Sequence, residues 1–411
     1  MDHRKKRILF VAGTTPEMAE LQAEFMSRNG GYWETYLADC GLDALDYLAD
    51  AECHAVVADL RLEDMTGVQV LNQVARSQIR SQRVLLVDPG DLQSLIRCVG
   101  GVHQFLIKPC EARRLEQVLE RMQKMDVWLP SLRVHELVGR LPRMPSPPTS
   151  YNELAVELKT GEPRREVVAH LLAHDPVITA KLLQLVNSAA YGETPDQSDP
   201  MAALSGQGLD TIRELVELAH QYSHFNATQG SGFSPMSLWE HSRRVSRMAG
   251  WVAEAAEAGE EAVKHSVTAG LLHDVGKVAL AANLPRQFNE AQFTARAKKL
   301  KLWEAEQKQL GATHSEVGGW MMCVWGLPLP VVEAVTLHHH PARLNTRRFI
   351  PLTAVHVGNA FAKAASLEQA VEELDMTYLD SLRARHRLAE WWDFCRTREL
   401  QNGAGKTASK E

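Results

Sequence analysis

The first 125 or so positions alternate between two hydrophobic periods. Short aliphatic runs, ILFVAG (8–13), ETYLAD (34–39), AVVADL (55–60), RVLLVD (83–88) and HQFLIK (103–108), are separated by stretches whose apolar residues recur every three to four positions. Strand-like runs alternating with helical ones predict an α/β domain with a five-stranded parallel sheet covered by helices on both faces. Ligands of such sheets sit at the carboxyl ends of the strands. The residues to weigh there are Asp59, Asp88 and Lys108, which close the third, fourth and fifth runs.

The pattern then changes. LPRMPSPPTS (141–150) places four prolines in ten residues, a junction that no helix can cross. Beyond it the period is almost wholly helical. In DPVITAKLLQLVN, Asp175 reads as an N-cap and Pro176 as the first helical residue. The reading divides the chain into residues 1–125, a linker 126–150, a first helical part 151–230, a helical core 231–365, and terminal helices with a polar tail 366–411.

Within the helical core, polar residues recur on apolar faces. Ser234 and Pro235 open a helix in which His241 shares a stripe with Val245, Met248 and Val252. GLLHDVGKVAL (270–280) predicts one further helix, with His273 and Asp274 roughly 100° apart and Lys277 a turn beyond. Gly276 would let another backbone or a phosphate come close. His314 begins a helix continued by Val317, Met321 and Val324, and His338, followed by His339, ends one containing Val331 and Val335. Asn359 lies in line with Leu352, Val355 and Ala362. Helical bundles build metal sites by such convergence. A single histidine on an apolar face, in contrast, is ordinarily a core residue satisfied by a hydrogen bond.

Composition narrows the classes. With 411 residues, 45% hydrophobic and 23% charged, the chain is a globular, multi-domain protein. A net charge of −6 gives no reason to expect nucleic acid or a membrane surface as partner. No span-length apolar run and no signal segment are found, so the expected location is the cytoplasm. Six scattered cysteines without a CxxC pair suit a reducing compartment.

Residues 1–125 resemble the receiver domains of two-component response regulators, carried by the order of elements, by Asp59 with Gly67 eight positions later, and by Lys108-Pro109. The resemblance implies a flavodoxin-like fold in which Asp59 accepts a phosphoryl group beside Mg²⁺ and Lys108 contacts it. The acidic pair expected after the first strand is replaced by Ala12-Gly13, and Asp88 stands where a hydroxyl residue is expected. The expectation is therefore a degenerate receiver without Mg²⁺, in which Asp59 and Lys108 form an ion pair. It would act as an interaction or homodimerisation module through the helix 111–125, with apolar Leu115, Val118, Leu119 and Met122.

Residues from roughly 135 to 365 resemble the HDOD family, all-α relatives of the HD-domain phosphohydrolases that serve as output modules in bacterial signalling. LPRMP, the run HDPVITAKLLQLVNSAAYG, LWEHS, GLLHDVGK, THSEVGGWMM, WGLP and HHHP carry it. The resemblance assigns His241, His273, Asp274 and the position of Asn359 to one metal, and His314, His338 and His339 to a second. It gives Asp274 and Lys277 the catalytic roles if the site turns over. Imidazoles with a carboxylate suit one or two Fe, Mn or Zn ions better than Mg. The final aspartate is replaced by Asn359, and the GYP signature of the two-metal phosphodiesterases is missing.

Two functions follow. One is a signalling adaptor whose output domain binds a partner protein or a nucleotide second messenger without catalysis. The other is a metal-dependent phosphohydrolase acting on a nucleotide or cyclic dinucleotide. Lesser features are Asn187 and Ser188 as a cap or interhelix pair, Arg343, Arg347 and Arg348 as phosphate contacts, and Trp391-Trp392 as core or interface anchors.

Overall fold

The computed structural model describes residues 5–13, 16–78, 80–88, 91, 102–129, 131–139, 148–160, 163–173, 175–187, 197–199, 202, 208, 210, 212–213 and 234–408. The LPRMP motif, Ser188 and most of NSAAYG, Cys98 and the last residues of the tail lie outside them. Strands β1 (Lys6–Val11), β2 (Trp33–Ala38), β3 (Ala55–Asp59), β4 (Gln82–Val87) and β5 (Gln104–Ile107) form a parallel sheet in the order β2-β1-β3-β4-β5. Helices α1 (Glu17–Asn29), α2 (Gly41–Asp50), α3 (Gly67–Ser77) and α4 (Ala112–Trp128) cover it.

The period of two along each strand sorts the side chains between the sheet's faces. Ile8, Phe10, Val57 and Leu86 join Phe25 and Leu115 in one cluster, while Leu9, Val56, Leu85 and Phe105 meet Leu48, Val70 and Leu71 in another. That second cluster continues without a break into the helical domain. The helix expected to serve dimerisation is present, but Leu115 and Leu119 are buried and Val118 packs in the sheet's own core. These three residues of the stripe thus pack against the receiver's own sheet.

Within the stretch read as a linker, α4 runs on to Trp128 and α5 (Leu132–Gly139) follows. His135 of α5 stacks on Trp320 with centroids 3.8 Å apart, and Arg133 Nε donates to the Leu310 carbonyl at 3.0 Å. Part of the join is thus a helix packed on the output domain. Next come α6 (Pro148–Leu158), α7 (Arg165–Ala173) and α8 (Pro176–Asn187), where the Asp175 carboxylate caps the backbone N–H groups of Val177 and Ile178.

The core comprises α9 (Pro235–Ala255), α10 (Glu260–Leu272), α11 (Val275–Asn283), α12 (Pro285–Lys298), α13 (Leu302–Leu310), α14 (His314–Val324), α15 (Leu329–Leu337) and α16 (Pro351–Lys363). Helices α17 (Leu367–Glu372), α18 (Met376–Ser381) and α19 (Leu388–Ala408) close it. Ser234 caps α9 through Ser237 N–H at 3.3 Å, as its sequence predicts. The run 270–280 is not one helix. It breaks at His273 and Asp274, where Asp274 takes φ −103° and ψ 6°, and the chain turns from α10 into α11.

That break is held by a close backbone approach. Gly276 opens α11 against α14, and a Cβ there would collide with the carbonyl oxygen of His314. The alternative expected from sequence, room for a phosphate, is filled by backbone. Gly276→Ala should therefore destabilise the chain by about 1–3 kcal/mol. Urea denaturation followed by far-ultraviolet circular dichroism measures the loss.

Candidate metal centre

All seven residues singled out as ligands converge where α9, the α10–α11 break, α14, α15 and α16 meet. Asp274, 1% exposed, lies at the middle. Its Oδ2 accepts from Lys277 Nζ at 2.6 Å and lies 3.3 Å from His273 Nε2 and 3.8 Å from His241 Nε2. Its Oδ1 lies 3.2 Å from His314 Nε2 and 4.0 Å from His338 Nε2. His241 Nε2 meets Asn359 Oδ1 at 3.1 Å, and His339 Nε2 meets His314 Nε2 at 3.1 Å.

The imidazoles are oriented by what holds their other nitrogen. His273 Nδ1 donates to the Gly270 carbonyl at 2.8 Å and His338 Nδ1 to the Val335 carbonyl at 2.9 Å, each three residues back. His314 Nδ1 meets Glu306 Oε2 at 2.6 Å, an oxygen that also accepts from the His314 backbone N–H. With Nδ1 occupied, each ring turns Nε2 into the centre. This is the arrangement by which carbonyls and carboxylates fix metal-bound histidines.

Electrostatics follow from burial. Desolvation pushes His241 down to about 3 and holds His338 and His339 well below the ordinary histidine range, so these rings are neutral and keep a lone pair. Burial opposes ionisation of Asp274, but the neighbouring His273 and Lys277 outweigh it, and its carboxyl lies well below the usual range. For His314 burial disfavours the proton, yet the charge of Glu306, its hydrogen bond at Nδ1 and the nearby Asp274 carboxylate raise its pKa.

The donor set fits a divalent ion. His273 Nε2, His338 Nε2 and Asp274 Oδ1 are buried and have no hydrogen-bond partner among the described residues, a costly state for polar atoms. Two groups, His241 with His273 and Asp274, and His314 with His338 and His339, have ligand atoms within 4.8 Å of one another. The set contains a single carboxylate, and Lys277 already neutralises it.

A cavity of about 200 Å³ opens beside the centre. Its basic residues are Lys277, Lys301 and Lys363, with Trp303 on the wall. The arginines named from sequence do not line it, and Arg343 lies 3.4 Å from Glu316. Asn187 is taken up by Gln197, donating to its carbonyl at 2.8 Å and accepting from its N–H at 2.6 Å. Sequence reading missed Glu306, Trp303 and His356, whose Nδ1 donates to the His338 carbonyl at 2.8 Å. Glu306 lies in the polar run LWEAEQKQL eight residues before His314, where nothing in the periodicity singles it out.

In the α/β domain, Lys108 Nζ lies 2.8 Å from Asp59 Oδ2, 3.4 Å from Asp88 and 3.5 Å from Glu17. The Arg61 N–H donates to Asp59 Oδ1 at 3.0 Å. A Cβ on Gly13 would come within 2.6 Å of the Asp59 carboxylate, so the residues after β1 crowd Asp59 without adding an acid. Lys108 is 6% exposed; burial disfavours its charge, but Asp59, with Asp88 and Glu17, outweighs it and its pKa is raised.

The two domains also touch. Gln104 Nε2 donates to the Val324 carbonyl at 2.9 Å, and Arg121 donates to the carbonyls of Gly326 and Leu327. Gly326 adopts φ +80° in the turn between α14 and α15, and a Cβ there would lie 2.6 Å from Gln104 Nε2. Gln184 Nε2 donates to the Val102 and His103 carbonyls, and within the helical domain Lys181 sits 3.8 Å over the Trp325 ring.

The chain thus joins a parallel sheet carrying a buried aspartate–lysine pair to a helical domain carrying a histidine–aspartate cluster. The chain is a response regulator receiver domain, matched over residues 9–120, followed by an HDOD domain, matched over 144–341. It is similar to an uncharacterised protein of Treponema pallidum, 23% identical over 205 residues, covering 50% of this chain and 39% of that protein. Part of it is similar to the regulatory protein LuxO of Vibrio vulnificus, 38% identical over 76 residues, 18% of this chain and 17% of that one. The chain thus spans well under half the length of these curated relatives. Among solved structures, the MmoQ response regulator of Methylococcus capsulatus is 20% identical, with 58% of this chain and 98% of that one covered and a TM-score of 0.45. No helix among the described residues is long and apolar enough to cross a membrane.

Two outcomes test this geometry. Glu306→Gln should weaken Zn²⁺ binding by about 10–100-fold, because His314 loses the carboxylate that orients it; competition titration against a chromogenic chelator reads the change. Lys108→Ala, which strands the buried Asp59, should cost about 3–5 kcal/mol. Chemical denaturation followed by receiver-domain amide signals measures it.

Proposed function

We propose that the protein is a signal-transduction adaptor in which a degenerate receiver controls an HDOD domain that binds a partner protein or a nucleotide second messenger without turnover. The observation that carries this reading is the placement of the domain contact. The receiver holds the turn between α14 and α15, while His314 begins α14 and His338 follows α15 at the opposite end of the same hairpin. At 1.5 Å per residue the 11-residue α14 spans about 16 Å, so a shift of β5 or α4 is transmitted along one rigid lever to the histidines.

Lys108, the residue that a phosphoryl group on Asp59 would engage, lies directly after β5, and Gln104 begins that strand. In this reading the receiver works without Mg²⁺, since the Asp59 charge is met by Lys108 and no acidic pair follows β1. The histidine centre holds one Zn, Fe or Mn ion with a regulatory or structural role. One carboxylate already paired to Lys277 leaves too little negative charge for two divalent ions.

The unpartnered Nε2 atoms of His273 and His338 favour a second reading, a metal-dependent phosphohydrolase acting on a nucleotide or cyclic dinucleotide. A divalent ion bound there supplies Lewis acidity and an activated water for phosphate-ester hydrolysis. His273, Asp274 and His314 would hold it, and Lys277 would meet the phosphate charge. Elemental analysis of purified protein with phosphodiesterase assays in Mn²⁺ or Fe²⁺ separates the two. The adaptor reading expects bound metal and no turnover above buffer; turnover that Asp274→Ala removes would overturn it.

A further inference from the structure

Beside the contact at Gly326, the two domains enclose a cleft of about 490 Å³, away from the histidine centre. Small-molecule sites have volumes of roughly 300–1,000 Å³ and concentrate at domain boundaries. One wall is α4, from which Arg114, Arg121 and Lys124 face the space. Their spacing of seven and three residues places them on one side of the helix. Arg121 is engaged by the Gly326 and Leu327 carbonyls, and Arg114 donates to Gln117 at 3.2 Å. Lys124 makes no ion pair among the described residues.

The opposite wall comes from the HDOD domain. Pro328, Leu329 and Pro330 give it a stiff apolar surface, and Glu261 adds a carboxylate there, as Glu120 does on α4. Three cations against two carboxylates leave an excess of one positive charge, in a chain whose net charge is −6. Such a lining suits a molecule with an anionic end and an end rich in hydrogen-bond donors. Arg114 and Lys124 take phosphate, the proline-flanked surface takes a flat ring, and the carboxylates accept from hydroxyl or amino groups.

We propose that this interdomain cleft is a nucleotide-binding site, distinct from the histidine centre, whose occupant bridges the receiver to the α14–α15 turn. The site stands on its own geometry; only its consequence for signalling rests on the adaptor reading. A bridging ligand stabilises the docked arrangement by mass action, because both walls are needed to hold it.

Isothermal titration calorimetry of the full chain with ATP, GTP and cyclic di-GMP, each up to about 1 mM, tests the proposal. At least one probe should bind with a Kd below about 100 µM. The double variant Arg114→Glu/Lys124→Glu, with both changes on the receiver wall, should weaken that binding about tenfold or more while the melting temperature holds. His339→Ala, at the histidine centre, should bind as the parent does. Binding by none of the three probes, binding unchanged in the double variant, or binding lost in His339→Ala would each overturn it. These outcomes leave the adaptor reading standing, since receiver docking is measured without ligand.

Discussion

The carbonyl oxygens of Val324 and Gly326 are the points on which the two halves of this molecule depend. Both lie at the end of the α14–α15 hairpin, and both are taken by receiver side chains, Gln104 from β5 and Arg121 from α4. A carbonyl at a helix end needs a partner. Here the partner comes from another domain, so the helix terminus and the domain contact are satisfied by the same bonds. Gly326 at φ +80° is what lets the turn come that near to Gln104.

The other end of the hairpin is organised by one buried anion. Asp274 collects Lys277, His273 and His314 around its two oxygens, and backbone carbonyls with Glu306 turn the rings toward it. Burying a carboxylate without partners costs several kcal/mol, and a paired one is tolerated. Lys277 supplies that pairing without metal, while the unpartnered Nε2 atoms of His273 and His338 still ask for an electrophile. The centre therefore holds its shape as a protein structure and retains the means to take an ion. Asn359 brings a neutral amide oxygen, not a second carboxylate, to His241.

Much of this was legible in the chain. Strand runs buried on both faces announced the parallel sheet, and Asp175 and Ser234 announced their helices through side-chain caps. The helical period placed His241, His314 and Asn359 on inward faces, where they are found. Three features were not legible, each for a tertiary reason. GLLHDVGKVAL reads as one helix because every residue in it tolerates helix; only contact between Gly276 and the His314 backbone reveals the break. Glu306 sits in a polar surface-like run, and its burial depends on α13 folding against α14. The apolar stripe of α4 showed that the helix buries one face but not against what, and its own sheet proved to be the partner.

Hydrogen–deuterium exchange of the full chain beside a Gln104→Ala/Arg121→Ala variant tests most directly whether the contact at Gly326 governs the histidine centre. The account predicts faster exchange along residues 314–339 as a unit, reaching the amides near His314 and His338, with the receiver sheet unchanged. A change confined to the turn at 324–328, with the histidine end exchanging as in the parent, would contradict it.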